Sequence, residues 1–590
     1  MSKPKKRFRS RDWFDDPHRM DMVGLYLERW MNSGYTPEEF RDGRPIIGIA
    51  QSGNDLNPCN MVHLSLAQRV KDGVREAGGI ALEFPTHPLF ENCRRPTAAL
   101  DRNLAYLSLV EVLHGYPIDA VVLTTGCDKT TPSSIMAAST VDIPAIVLSG
   151  GPMLDSYADG ELVGSGTVVW RNRKKLGAGE ISEEEFIATV AKSAPSLGHC
   201  NTMGTASTMN AVAEALGLSL PGCAAIPAPY RERGQIAFET GKRIVAMAYD
   251  ALTPSKILNR QAFLNAIALI AAIGGSTNAQ PHINAMARHA GVEITPEDWM
   301  VAHDIPLLLN MMPAGKYLGE RFHRAGGVPA VLCELLRAGR IDGSVLTVTG
   351  RSIAENISGR DSSDREMITS YQQPLQERAG FMVMKGNLFD FAIMKTSVIS
   401  DEFRRRYLSE PGREGVFEGQ AVVFDGSDDY HARINDPALD IDEHCILVIR
   451  GAGPIGWPGS AEVVNMQPPD ALLKRGITSL PTIGDGRQSG TADSPSILNA
   501  SPESAVGGGL SWLKTGDIIR IDVNSGRCDA LVSEEEIAER KKSAPPAIPE
   551  SQSPWQEIYR ASVGQLDSGA VMELAVKYRG IASKPPRHNH

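Results

Sequence analysis

Three cysteines sit where chemistry is done rather than where side chains are packed away. Cys59 lies in residues 54–60 (NDLNPCN), Cys127 in 124–132 (TTGCDKTTP) and Cys200 in 198–205 (GHCNTMGT). A structural cysteine normally hides among apolar neighbours, whereas these three fall in polar, glycine-flanked loops. Three presented thiolates can hold a metal centre that keeps one position open for a substrate. Cys127-Asp128-Lys129 adds a carboxylate and an amine at one turn. That turn follows an apolar strand expected over 120–123 and precedes a helix expected near Thr131. Ligands gather at the carboxyl ends of strands in open α/β sheets. A capped surface turn is the plainer alternative, and any one of the cysteines alone reads as a structural thiol.

Further candidates share this polar, loop-borne character. Glu91 lies in a loop after the strand expected over 80–84, and Glu462 follows the glycine-rich run 451–459 (GAGPIGWPG). Carboxylates gathered on one rim suit Mg²⁺ rather than a soft metal; alone, each is a solvated surface acid. Ser489 is set in 484–491 (GDGRQSGT), after a strand expected over 477–483. This is neither the GxSxG of a nucleophile elbow nor a P-loop, and a turn in a β-rich domain remains open. Residues 274–278 (GGSTN) either bind an anion at a helix start or cap the helix. Cys93, with Arg94 and Arg95 beside it, is a lesser candidate ligand. Cys223, Cys333, Cys445 and Cys528 are set aside as structural.

The elements that must position these residues divide the chain. Its 590 residues exceed one ordinary domain. From about residue 45 to 330, apolar runs over 45–50, 80–84, 120–123 and 145–148 alternate with helical spacings over 61–77 and 98–113. Such alternation implies a mostly parallel sheet with helices packed on it. From about residue 380, short β-rich runs over 381–384, 420–424, 445–450 and 517–523 imply a barrel-like domain. The expected fold is therefore α/β, with an N-terminal arm over 1–44, an α/β domain over 45–375 and a β-barrel-like domain over 376–554. A tail over 555–590 follows a Pro/Ser-rich linker at 541–554. The basic segment 1–11 is expected to be a solvated tail.

Composition excludes several classes. A net charge of −10 argues against a nucleic-acid binder. The most apolar run, 266–273, is far short of the ~20 residues of a spanning helix. Eight cysteines without a CxxC pair point to a reducing, cytoplasmic setting rather than a disulfide scaffold.

The motifs at 58–60, 126–132, 200–209, 274–279 and 485–491 together resemble those of the dihydroxyacid and sugar-acid dehydratases, a family that also contains phosphogluconate dehydratase. The resemblance spans nearly the whole chain. Residues 8–14, 91–97 and 586–590 are similar to the pentonate branch. The resemblance implies a 2Fe–2S cluster on Cys59, Cys127 and Cys200. It also implies Mg²⁺ on Glu91, Asp128, Glu462 and a carbamylated Lys129, with Ser489 as the base. The implied reaction is dehydration of a small-molecule sugar acid, D-xylonate, to 2-dehydro-3-deoxy-D-xylonate. L-arabinonate, D-gluconate and dihydroxyisovalerate are the alternative substrates, and an iron–sulfur electron carrier is the alternative class. A homodimer or homotetramer is implied, and the tail is expected to bring His588 or His590 near a neighbouring subunit's active site.

Overall fold

The computed structural model describes residues 7–543, 545 and 547–589. Four apolar runs form one sheet: Ile46–Gln51 (β1), Ile80–Pro85 (β2), Ala120–Thr125 (β3) and Ala145–Ser149 (β4). The order is β2-β1-β3-β4 and every pairing is parallel. β1, β3 and β4 are buried along their whole length, while the edge strand β2 becomes half exposed after Ala81. Strands covered on both faces have no reason to alternate in polarity, which is why they read as continuous apolar runs.

Helices His63–Glu76 and Arg231–Asp250 pack against each other beside this sheet. Their contact is close enough that a Cβ on Gly73 would run into the Phe238 carbonyl oxygen, and one on Gly241 into that of Val70. A hairpin of Tyr157–Ala158 (β5) and Glu161–Leu162 (β6) follows β4. Apolar helices Thr205–Ala215, Arg260–Ala272 and Ala279–Ala290 then fill the core, nearly all of their residues buried.

The second half is a closed barrel. Its strands are Phe381–Gly386 (β7), Phe389–Lys395 (β8), Val416–Asp425 (β9), Cys445–Arg450 (β10), Thr482–Gly484 (β11), Ile497–Ser501 (β12), Ile518–Asp522 (β13) and Arg527–Ala530 (β14). They close in the order β10-β11-β12-β8-β7-β14-β13-β9. β9, β10, β11 and β12 run parallel, and β12 meets β8 antiparallel. The strand expected over 477–483 shrinks to β11, because residues before Thr482 have no ladder partner.

The segment expected to be a solvated tail is instead anchored from Phe8 onward. Phe8 is buried, and the Arg9 guanidinium donates to the carbonyls of Leu113, His114, Tyr116 and Ile118 at 2.7–3.0 Å. Ser10 donates through N–H and hydroxyl to buried Asp119, which also accepts the Ile46 N–H at 2.8 Å. The arm is thus stitched to the starts of β1 and β3. At the other end, the Trp555 indole N–H donates to the Leu100 carbonyl, and Arg102 reaches the carbonyls of Gly569 and Ala570 at 2.7 and 2.6 Å. His588 stacks on Tyr26 and lies 4.0 Å from Asp16, against the chain's own arm. His590 lies outside the described residues. Among the described residues, no helix is long and apolar enough to cross a membrane.

Candidate active site

β3 ends at Thr125, and residues 126–129 turn directly into the helix Thr130–Val141. The turn is held from both sides. The Cys127 N–H donates to Asn60 Oδ1 at 2.7 Å, and Asn210 Nδ2 donates to the Gly126 carbonyl at 3.0 Å. The Thr130 hydroxyl donates to the Cys127 carbonyl and accepts the Gly126 N–H. Gly126 is required here, because a Cβ would stand 2.5 Å from Asn60 Oδ1. Since Asn60 follows Cys59, the same asparagine ties the first cysteine loop to the second.

Lys129 is fully buried, and three carboxylates converge on its ammonium. Nζ lies 2.9 Å from Asp128, 3.0 Å from Glu91 and 3.8 Å from Glu462. Arg487, also buried, bridges Glu91 and Glu462 at 3.1 Å each and donates to Asn278 Oδ1, Thr97 Oγ1 and the Ser460 carbonyl. Burial works against charge on Glu91, but Lys129 and Arg487 outweigh it and hold that carboxyl below its usual range. Glu462 goes the other way: burial and then the Glu91 charge push it up. Burial likewise dominates at Asp128 and raises it, against the pull of Lys129.

The barrel side of the site is carried on loops fixed by two buried acids. Asp485 accepts the N–H groups of Gly451, Ala452 and Ser504 and the Ser504 hydroxyl. Glu503 accepts the N–H groups of Ile455 and Gly456. The glycine-rich run is therefore a strap wrapped around two carboxylates, and it delivers Glu462 to the rim. Ser489 is half-buried, with its hydroxyl 2.9 Å from that of Thr491. Gly490 packs against Thr205 and Ser276, whose hydroxyls would stand within 2.6 Å of any Cβ there.

One cavity of about 440 Å³ receives all of this. Cys59, Cys127, Cys200, Glu91, Asp128, Glu462 and Ser489 line it, and Lys129 lies behind the carboxylates. Among the described residues, no three Cys, His, Asp or Glu side chains stand in ligand geometry around one point; the Lys129 ammonium sits where the carboxylates converge. The donor chemistry fits a divalent cation there, since these oxygens already gather around a positive charge. On the opposite set, the Cys59 contact and burial push the Cys127 thiol well up, and burial raises Cys200 to about 11. All three cysteines line the same cavity, which suits three ligands of one cluster. Cys93 is exposed, and it is not among the cavity's lining residues. Cys223, set aside as structural, has the buried Arg233 guanidinium 3.6 Å from its sulfur.

Nothing in the sequence marks Arg487, Thr491 or Trp170 as parts of the site, and Asn278 falls in the 274–278 segment expected to bind an anion or cap a helix. Asn278 Nδ2 donates to Glu462 at 2.6 Å, so the 274–278 segment braces a carboxylate at the rim.

The dihydroxy-acid/6-phosphogluconate dehydratase N-terminal and C-terminal profiles match residues 44–356 and 366–570. The chain belongs to this dehydratase family, and the enzymes of this family are lyases acting on hydroxylated acids. The D-xylonate dehydratase of Caulobacter vibrioides is 75% identical over 585 residues, covering 99% of this chain and 98% of that one. The L-arabinonate dehydratase of Rhizobium leguminosarum bv. trifolii is 43% identical over 586 residues, 99% of each chain. A dihydroxy-acid dehydratase of Caldanaerobacter subterraneus is 37% identical over 566 residues, 94% of this chain and 97% of that one.

Proposed function

We propose that this enzyme is a hydro-lyase converting D-xylonate to 2-dehydro-3-deoxy-D-xylonate and water in pentose breakdown. The observation that carries the substrate is the 75% identity to the Caulobacter D-xylonate dehydratase along essentially the full chain. In this reading Cys59, Cys127 and Cys200 would hold a 2Fe–2S cluster, and Glu91, Asp128, Glu462 and a carbamylated Lys129 would hold Mg²⁺; the two would supply Lewis acidity at the C3 hydroxyl and at the carboxylate end.

Charge supports the lysine modification. Counted with all three carboxylates ionised, the cluster around Lys129 and Arg487 carries one net negative charge. A carbamate in place of the ammonium leaves three, and a divalent cation restores one. Carbamylation and cation binding therefore favour each other. Ser489, ionised to its alkoxide, takes the C2 proton and becomes the neutral hydroxyl; that proton, passed on, together with the hydroxyl lost from C3 makes one water and restores the alkoxide. The enol left behind tautomerises to the 2-keto-3-deoxy acid. Arg487 bonds both Glu91 and Glu462, so that the carboxylates stay fixed as charge develops on the substrate. We further infer a homodimer or homotetramer; a monomer in light scattering contradicts that.

The test is keto-acid formation by anaerobically purified, iron–sulfur-replete enzyme with Mg²⁺. D-xylonate, L-arabinonate, D-gluconate and dihydroxyisovalerate are compared by kcat/KM, the ratio that defines specificity. D-xylonate is expected to lead. A lead for another acid overturns the substrate, and no turnover with an intact cluster favours an electron carrier.

A further inference from the structure

A sugar acid carries hydroxyls beyond its reacting carbons, and a wall that selects it must meet them. Most polar side chains on the cavity wall are already committed. The Thr97 hydroxyl donates to Glu91 Oε1 and accepts from Arg487, at 3.1 Å each. That of Thr205 pairs with Ser276 at 2.8 Å and accepts from Asn278 Nδ2 at 2.9 Å. The Trp170 Nε1–H is spent on Thr491 Oγ1 at 2.9 Å, and Thr491 pairs with Ser489. The carboxylates face Lys129 and Arg487. Pro96, Val169 and Val463 add apolar wall.

Asn92 is the exception. It lines the same cavity, and among the described residues its side-chain amide has no hydrogen-bond partner. Its backbone is pinned on both sides. One residue earlier, Glu91 turns inward to Lys129 at 3.0 Å. Two residues later, the Arg94 guanidinium grips buried Asp101, on the helix Ala98–Gly115, with bonds of 2.5 and 3.2 Å. The Arg94 N–H also donates to the Phe90 carbonyl at 3.0 Å, and Asn57 Nδ2 holds the Leu89 carbonyl at 2.5 Å. The Glu91 side chain is 11% exposed whereas Asn92 is exposed, so the amide stands on the open side of the cavity.

A sugar acid with its carboxylate end on the Glu91 side extends its far end toward that opening. A primary amide suits the neighbouring hydroxyls carried there, since it accepts through Oδ1 and donates through Nδ2. A pinned loop pays little ordering cost for the contact. We propose that Asn92 is a specificity-determining residue that reads the C4 and C5 hydroxyls of the substrate. This rests on the reading of the substrate as a sugar acid. Dihydroxyisovalerate, with only methyl groups beyond C3, gains nothing from the amide.

The test uses the full-length, cofactor-replete enzyme, wild type and Asn92→Ala. D-xylonate is compared with 2,3-dihydroxybutanoate of the same C2 and C3 configuration, which keeps the reacting diol and lacks the outer hydroxyls. The shorter acid is followed as a substrate or, where its turnover is too slow, as a competitive inhibitor of D-xylonate turnover. Asn92→Ala is expected to lower kcat/KM for D-xylonate about 20-fold, the scale of two hydrogen bonds between neutral groups, with most of the change in KM. The constant for 2,3-dihydroxybutanoate is expected to stay within about twofold, and bound Mg²⁺ per chain to stay at the wild-type value. An unchanged kcat/KM for D-xylonate overturns the inference. An equal loss on both acids, or a loss of Mg²⁺, also overturns it, because Asn92 then serves the reacting end or the loop. Those results leave the sugar-acid reading standing. A wild type that favours 2,3-dihydroxybutanoate over D-xylonate overturns that reading and this inference with it.

Discussion

The two halves of the molecule supply the same cavity by different means. In the parallel-sheet half, Cys127, Asp128 and Lys129 leave the end of one buried strand and enter a helix within four residues. Backbone hydrogen bonds to Asn60 and Asn210 fix that turn. In the barrel half, Glu462 and Ser489 ride on loops with little regular structure, held by the buried acids Asp485 and Glu503. The first half relies on fold geometry and the second on dedicated polar anchors. Arg487 joins the two, bonding Glu91 across a separation of 396 residues.

The largest expected effect falls on that joint. Arg487→Met leaves Glu91 and Glu462 facing one another in a buried site. We expect a loss of about 3–5 kcal/mol, the scale of breaking a buried ion pair from one side, read by denaturant unfolding. A loss below about 1 kcal/mol says that Lys129 alone holds the carboxylates and the halves are less dependent than argued.

A smaller effect isolates the first half. Gly73→Ala drives a methyl into the Phe238 carbonyl where two helices cross. Overpacking of this kind costs about 1–3 kcal/mol, and kcat of the folded enzyme is expected to stay at the wild-type value. An unchanged stability shows that the helices can part without cost.

The smallest effect sharpens the second half. Burial, with Asp485 adding to it, raises Glu503 from 4.5 to about 7. The native state then keeps a proton that the unfolded chain has lost, so this group's contribution to stability falls as pH rises from about 4.5 to about 7 and is level above. Glu503→Gln is expected to flatten part of that decline in thermal midpoint. Asp119 and Glu214, raised by burial to about 6 and about 7, act with the same sign and retain the rest. A pH dependence identical to wild type shows that Glu503 is ionised throughout.

The same contrast explains what could be read from the amino acids alone. β1, β3 and β4 announce themselves because strands buried on both faces are uninterrupted apolar runs. β8, β12 and β14 did not, and the run before Thr482 misled. β12 and β14 are only five and four residues long and their own composition says little, while β8 is the return strand of a tight hairpin with β7. Among the residues lining the cavity, Cys59, Cys127, Cys200, Asp128 and Ser489 stand out by residue type in polar loops. Arg487 and Asn278 lie 209 residues apart, and nothing local marks either as a brace. Trp170 looks like an ordinary helix aromatic until its N–H is seen to meet Thr491. The arm was misread for a related reason: the basic residues at its start suggest solvent, whereas Arg9 is consumed by four carbonyls of another segment.

In the proposed function both halves hold one cation for one reaction. The most direct measurement is bound Mg²⁺ per chain, together with D-xylonate turnover, in wild type and in Glu462→Gln, at matched iron–sulfur content. Glu462 comes from the barrel, while Glu91, Asp128 and Lys129 come from the sheet half. The account predicts that the variant keeps its iron–sulfur absorbance but loses both Mg²⁺ and turnover. Wild-type Mg²⁺ binding and turnover in Glu462→Gln would contradict it.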